Sequence, residues 1–243
     1  MLKAILFDLD DTLYEERQYF RSGFSVAARE LERRGVGKVE ETVRLLEHLF
    51  LHESRERVFQ KLRVRTPFPE EWIPELVAVL RMHSPAISLP EDAVQVLQSL
   101  MERFKLGCVT DGNAQIQNQK LNALGARMYF DAVVLTDELG KAFWKPHPLP
   151  FLKCCQVLGV TPEEAVFVGD SLERDVAGAA NAGMRSVLIR RPGAARESQG
   201  PTPQAGAPCL AVDDLRELER LLTRTEDLPD SRLLAQGGAK IPI

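Results

Sequence analysis

Residues Ala4-Ile5-Leu6-Phe7 form an unbroken apolar run that ends in Asp8-Leu9-Asp10-Asp11-Thr12. A run this short and this apolar fits a strand buried on both faces, as in parallel α/β sheets. Such sheets bind ligands at the carboxyl ends of their strands, where the chain leaves for a loop. Asp8 and Asp10 stand at that place, and the turn between them can bring both to one small volume. Two carboxylates that close repel unless a cation or a shared proton relieves them. A divalent metal is the usual remedy, and carboxylate oxygens suit Mg²⁺. Taken alone, the same residues also read as an acidic turn after an edge strand, with Thr12 capping the next helix.

The rest of the chain narrows that choice. Its 243 residues suit one large domain or a core with a second small lobe. The apolar share of 44% can build a core, and the net charge of −4 argues against nucleic acid as the main partner. No stretch approaches a membrane span, and no charged-apolar-small leader opens the chain, so a cytoplasmic protein is expected. Cys108, Cys154, Cys155 and Cys209 show neither metal-ligand spacing nor a pairing pattern. Three of them lie in apolar stretches and read as reduced core residues.

Between Tyr14 and about Ser88 no parallel-sheet strand is visible, and helical periodicity dominates. Phe20, Phe24, Ala27 and Leu31 follow three-four spacing, as do Val43, Leu46 and Phe50, and Val58 and Leu62. A helical block inserted straight after the first strand reads as a lid. From Glu91, strand and helix alternate. Apolar runs at Leu106–Val109, Ala132–Leu135, Ala165–Val168 and Ser186–Ile189 are separated by helical segments. This order predicts an α/β fold, a parallel sheet with helices on both faces. The expected division is a core of residues 1–13 and 89–225, a helical insertion of 14–88, and a disordered tail of 226–243. The Gly- and Pro-rich stretch from Arg191 to Pro208 reads as a mobile loop.

Polar residues recur at the strand ends. Thr110-Asp111-Gly112 follows the second strand, and a hydroxyl plus free N–H groups of a turn can hold phosphate oxygens. Lys145 precedes Pro146, and prolines on either side of His147 stiffen its approach to the next helix. Asp170 follows the fourth strand, with Asp175 five residues on. Each has a plain alternative: Thr110 and Asp111 as helix caps, Lys145 as a surface lysine, Asp170 and Asp175 as an N-terminal charge pair. Their repetition at successive strand ends favours one site: acids for a metal, a hydroxyl and an amine for a phosphoryl group.

Together D-x-D-x-T, T-D-G, K-P, G-D-x4-D and G-A-x2-A-G, in that order over roughly residues 4–190, resemble the haloacid dehalogenase superfamily. The resemblance implies a Rossmann-like core with an inserted all-helical cap. It implies a Mg²⁺-dependent phosphatase for a small phosphorylated metabolite, with Asp8 as nucleophile and Asp10 as acid and base. It further implies that Asp8, the Asp10 backbone carbonyl and Asp170 hold Mg²⁺. Thr110, the Asp111–Gly112 backbone and Lys145 would hold phosphate, with Thr12 and Asp175 in support. Asp111 departs from the Asn of many relatives; its carboxylate would repel phosphate unless it pointed away.

A dehalogenase is disfavoured by the presence of Asp10. A phosphosugar mutase would share nearly every residue named, and a non-catalytic protein of the same fold is the alternative of a different class. Arg17 and Arg21, close after the nucleophile strand along with Tyr14 and Glu15, are candidate substrate contacts. Arg57, Lys61 and Arg65 at i, i+4 spacing read as a solvated face or as a lure for anions. His48 and His52 are also i, i+4 but lack a third ligand, and His147 reads as a solvated loop residue. The expected assembly is a monomer or homodimer.

Overall fold

In the computed structural model, residues 1–191 and 210–224 are described. The expected mobile loop beyond Arg191, the expected tail and Cys209 fall outside them. The described elements run β1 (Ala4–Phe7), α1 (Glu16–Arg33), α2 (Val39–His52), α3 (Val58–Arg65), α4 (Ile73–Met82) and α5 (Glu91–Met101). Then come β2 (Lys105–Thr110), α6 (Ala114–Ala123), β3 (Ala132–Leu135), α7 (Leu149–Leu158) and β4 (Ala165–Gly169). The last are α8 (Ala177–Asn181), β5 (Arg185–Ile189), β6 (Leu210–Val212) and α9 (Leu215–Arg224).

All described strands pair in parallel, in the order β3-β2-β1-β4-β5-β6. The apolar run of β1 is explained by its central place: every residue is buried, with β2 on one side and β4 on the other. Side chains alternate across the sheet. Ala4 and Leu6 join a cluster with Phe151, Cys154 and Leu158 of α7, while Ile5 and Phe7 are buried on the opposite face. Cys108, Cys154 and Cys155 are buried and unbridged. The chain builds β2 and β3 outward from β1 and then crosses back to lay β4 on its other side. That reversal is the switch point at which parallel sheets open a crevice at their carboxyl ends.

Two details differ from the sequence reading. A sixth strand, β6, has only three residues, too few to show a periodicity next to a Gly- and Pro-rich stretch. The helical segment after β4 also opens earlier, with a π-helical turn at Leu172–Val176 that runs into α8. Such wide turns recur at functional sites.

The chain divides into two compact units. The first holds Met1–Glu15, Leu89–Gln117 and the described residues from Gly125 onward, including the sheet. The second holds Glu16–Ser88 and Asn118–Leu124. It is helical and has its own core, in which Phe24 and Leu31 of α1 meet Leu46 and Phe50 of α2, Leu62 of α3 and Leu76 of α4. The periodic residues named above thus supply its buried faces. No described helix is long and apolar enough to cross a membrane.

Candidate active site

Asp8 leaves β1 with its N–H donating to the Val168 carbonyl at 2.9 Å, so the nucleophile candidate is held against β4. Its side chain is buried and accepts from Lys145 Nζ at 2.6 Å. Lys145 donates also to Asp175 Oδ1 at 2.7 Å and to the Val109 carbonyl at 3.3 Å. An ammonium carries three N–H donors, and these three protein acceptors take all of them. Burial alone would lower the lysine pKa, but Asp175 and Asp8 more than offset it and raise it, so Lys145 stays charged.

The acids are in excess. Oxygens of Asp8, Asp170 and Asp175 lie within 4.8 Å of one another. Burial, countered by Lys145 and reinforced by Asp175, pushes the Asp8 carboxyl up to about 7. Burial together with Asp8 and Asp175 pushes Asp170 up to about 8. Asp170 Oδ1 is buried with no hydrogen-bond partner, and unpaired buried acceptors are rare. Asp175 is different: Oδ1 takes Lys145 and Oδ2 takes the Ser171 N–H at 2.9 Å. Gly169 makes room for it, since a Cβ there would stand 2.5 Å from the Asp175 carboxyl carbon. Three carboxylates around one ammonium, one of them with a bare buried oxygen, fit a divalent cation.

Asp10 has hydrogen-bond partners of its own. Tyr14 Oη donates to its Oδ1 at 2.7 Å and Gln117 Nε2 to its Oδ2 at 2.9 Å. Gln117 Nε2 also reaches the Asp111 carbonyl at 2.5 Å. Gly112 has φ of 120°, and a Cβ there would lie 2.8 Å from Gln117 Nε2, so the turn both needs glycine and lets the amide in. The Asp10–Asp11 turn bends sharply, with Asp11 at φ 58°. Thr12 Oγ1 lies 3.4 Å from Asp8 Oδ2, a long contact, and the Thr12 carbonyl accepts from Arg191 Nε at 2.8 Å. Arg191 is anchored in turn on Asp92 at 3.1 Å.

At the end of β2, Thr110 Oγ1 is buried without a partner. The Asp111 carboxylate turns into the protein. Oδ1 accepts from Thr136 Oγ1 at 2.8 Å and from the Lys145 N–H at 3.2 Å, and Oδ2 lies 3.9 Å from Arg174. The departure from Asn is therefore absorbed by two donors and a nearby cation.

The remaining candidates stand elsewhere in the chain's interactions. Tyr14, read as facing substrate, is fully buried beneath Asp10. Arg17 and Arg21 lie 3.3 and 3.9 Å from Glu47 in the helical unit, both well exposed. Lys61 and Arg65 pair with Glu53, while Arg57 starts α3 with its N–H on Ser54 Oγ. His48 and His52 rings sit 4.8 Å apart and belong to no described metal-type cluster. His147 Nδ1 accepts the Leu149 N–H at the start of α7. Gln117, Thr136, Arg174 and Arg191 were not singled out from the sequence. Only Arg174 carried a signal, its place between Asp170 and Asp175.

A buried carboxylate gripped by lysine at the switch point of a parallel sheet stands where parallel α/β enzymes bind their ligands. A family model of haloacid dehalogenase-like hydrolases matches residues 2–183, and the chain belongs to that family. It is 36% identical over 229 residues to a glyceraldehyde 3-phosphate phosphatase of Methanopyrus kandleri, covering 90% of this chain and 96% of that protein. It is 36% identical over 137 residues to the N-acylneuraminate-9-phosphatase of Homo sapiens, covering 56% of this chain and 52% of that one. Among solved structures, a haloacid dehalogenase-type phosphatase from Thermococcus onnurineus matches with TM-score 0.56 and 29% identity over 91% of this chain and 98% of that one. A putative β-phosphoglucomutase from Thermotoga maritima shares the fold, with TM-score 0.64 and 20% identity over 91% of this chain and 99% of that one.

Proposed function

We propose that this chain is a Mg²⁺-dependent phosphatase of small phosphomonoesters that works through an aspartyl-phosphate at Asp8. The observation that carries the reading is the buried Asp8–Lys145–Asp175 chain beside the bare oxygen of Asp170. Lys145 favours the ionised form of Asp8, and ionised Asp8 is the nucleophile. An Asp8 oxygen attacks phosphorus, the bond from phosphorus to the leaving oxygen breaks, and Asp10 gives that oxygen its proton. Asp10 then takes a proton from water, whose oxygen attacks the phosphorus and frees Asp8. Tyr14 and Gln117 fix the orientation of Asp10 for both transfers. The Thr110 hydroxyl, the Asp111–Gly112 backbone and Lys145 hold the phosphoryl oxygens. Asp8, Asp170 and the Asp10 carbonyl would hold Mg²⁺, with Asp175 beside them and Thr12 supporting Asp8. When bound, the cation supplies charge neutralisation at the transferring oxygens.

Two relatives named above are phosphatases named for glyceraldehyde 3-phosphate and for position 9 of N-acylneuraminate, and a phosphate carried by a small oxygenated metabolite is the reading here. Residues 14–88 are proposed as the cap that selects the leaving group, with Arg17 and Arg21 as its substrate contacts. Buried, unbridged Cys108, Cys154 and Cys155 support a reducing compartment such as the cytoplasm. The mutase reading gains nothing from the mutase neighbour, since 20% identity supports the fold alone. The test is phosphate release from a panel of sugar and triose phosphates, with chelator and then with Mg²⁺ restored. Release that depends on Mg²⁺ is expected. No release from any substrate, or full activity in chelator, overturns the reading.

A further inference from the structure

We propose that Arg174 is a phosphate-binding residue of this site, a second cation that grips the phosphoryl oxygens beside Lys145. The inference rests on the phosphatase reading above but is tested apart from it. Lys145 has three donors and three protein acceptors, Asp8, Asp175 and the Val109 carbonyl. As placed, it is shared among these acceptors and reaches a phosphoryl oxygen only in exchange for one of them, the 3.3 Å contact to the Val109 carbonyl being the longest. Arg174 is in the opposite position. Its Nη1 is 3.9 Å from Asp111 Oδ2 and its Nη2 is 4.0 Å from Asp170 Oδ1, and Nε makes a long contact of 3.4 Å with Ser171 Oγ. Direct N–H···O bonds of a guanidinium to a carboxylate are about 2.7–2.9 Å. Arg174 is thus aimed by two carboxylates without closing on either, and its side chain is 30% exposed.

The neighbouring groups make the same point. Thr110 Oγ1, one residue before Asp111, is buried and partnerless, as is Asp170 Oδ1. An unpaired hydroxyl, a guanidinium with open N–H groups and a bare carboxylate oxygen form a set that a phosphate dianion and a cation would complete. The planar fork of arginine matches two phosphate oxygens at once, which an ammonium cannot do. Asp111 has a stated part in this. Its Oδ1 is fixed by Thr136 and the Lys145 N–H, so its Oδ2 is a rigid post that steers Arg174 over the end of β2.

The test is calorimetric binding of inorganic phosphate to the full chain in the presence of Mg²⁺, so that no turnover is needed. Arg174→Ala should weaken phosphate affinity about tenfold to a hundredfold. Mg²⁺ affinity, titrated alone, should not weaken, because a positive neighbour of Asp170 has been removed. Arg174→Lys should fall between the two, and Arg174→Gln, which keeps length without charge, should match alanine if alanine folds poorly. The loss should persist when Asp111→Asn is added. Phosphate affinity within about twofold of wild type in the alanine and glutamine variants overturns the proposal. So does recovery in the Asp111→Asn background, which would make Arg174 only a counter-charge, and so does a wild-type chain that binds no phosphate. A wild-type chain that binds phosphate through Arg174 yet hydrolyses nothing overturns the phosphatase reading and leaves this one standing.

Discussion

The two units are built on opposite principles. In the sheet unit, charge is buried: Asp8, Lys145, Asp170 and Asp175 are each 9% exposed or less. In the helical unit the interior is apolar and aromatic. Phe20 and Phe50 ring centroids lie 4.1 Å apart and Phe24 meets Phe50 at 5.7 Å, while charges pair at the surface, as Arg33 with Glu30. Lys120 is its buried exception, 3.5 Å from Glu16 and 4.7 Å above the Tyr19 ring. Burying carboxylates costs stability unless each is paired, and removing one partner leaves the other stranded. The sheet unit accepts that cost where chemistry needs it. The helical unit carries mostly packing, so substitutions there should act on stability or selection and leave the reaction itself intact.

The sharpest break in this contrast is Asp8→Asn, which keeps shape and removes the nucleophile. Turnover should fall at least about ten-thousandfold, with circular dichroism unchanged. Residual phosphate release within tenfold of wild type would remove Asp8 from the role. Next comes Gln117→Ala, which frees one side of Asp10 without touching the other. A drop of roughly tenfold to a hundredfold in kcat is expected, within the range of general acid–base effects. A change confined to KM would instead place Gln117 on the substrate.

Stability against pH sharpens the comparison further. Asp8 and Asp170 have folded-state pKa values raised to about 7 and about 8, above those of an unfolded chain. The folded state therefore keeps protons that the unfolded chain has already released. Stability from these groups is full below about pH 4 and is lost as pH rises towards 8. In chelator, the urea midpoint should report a loss on the order of several kcal/mol between pH 5 and pH 8.5. Saturating Mg²⁺ should flatten that slope, and Asp170→Asn should remove much of it. An identical slope in wild type and Asp170→Asn would refute the buried-charge account. The smallest effects belong to the helical unit. Arg17→Ala or Arg21→Ala should shift stability by less than about 1 kcal/mol, as exposed ion pairs do. They should reorder substrates while leaving the Mg²⁺ requirement alone, which the same substrate panel would read.

Much of the frame could be read from the chain because a buried parallel strand has few ways to be written. Ala4–Phe7, Ala132–Leu135 and Ala165–Gly169 are short apolar runs, and each is followed by polar residues that mark its end. Asp8, Thr110 and Asp170 were visible as those endings. Gln117 was not, since it lies 107 residues from Asp10 and a glutamine inside a helix follows no pattern that betrays its target. Tyr14 read as a substrate contact, and its bond to Asp10 was hidden because spacing cannot say which way a turn folds. The direction of the Asp111 carboxylate depends on Thr136, on a different strand's loop, and Arg174 gains its meaning only from the distances to Asp111 and Asp170.

The central place of β1 has a consequence for how the protein can fail. Each of its four residues is paired on both sides, and Asp8 continues the ladder through its own N–H. Amides held this way exchange with solvent only when the whole cooperative unit opens. The nucleophile therefore has no route of its own to fraying, unlike a residue on a surface loop. Deuterium should enter β1 last, and heat should abolish activity and melt the sheet at one temperature, with no window in which a folded core carries a dismantled Asp8.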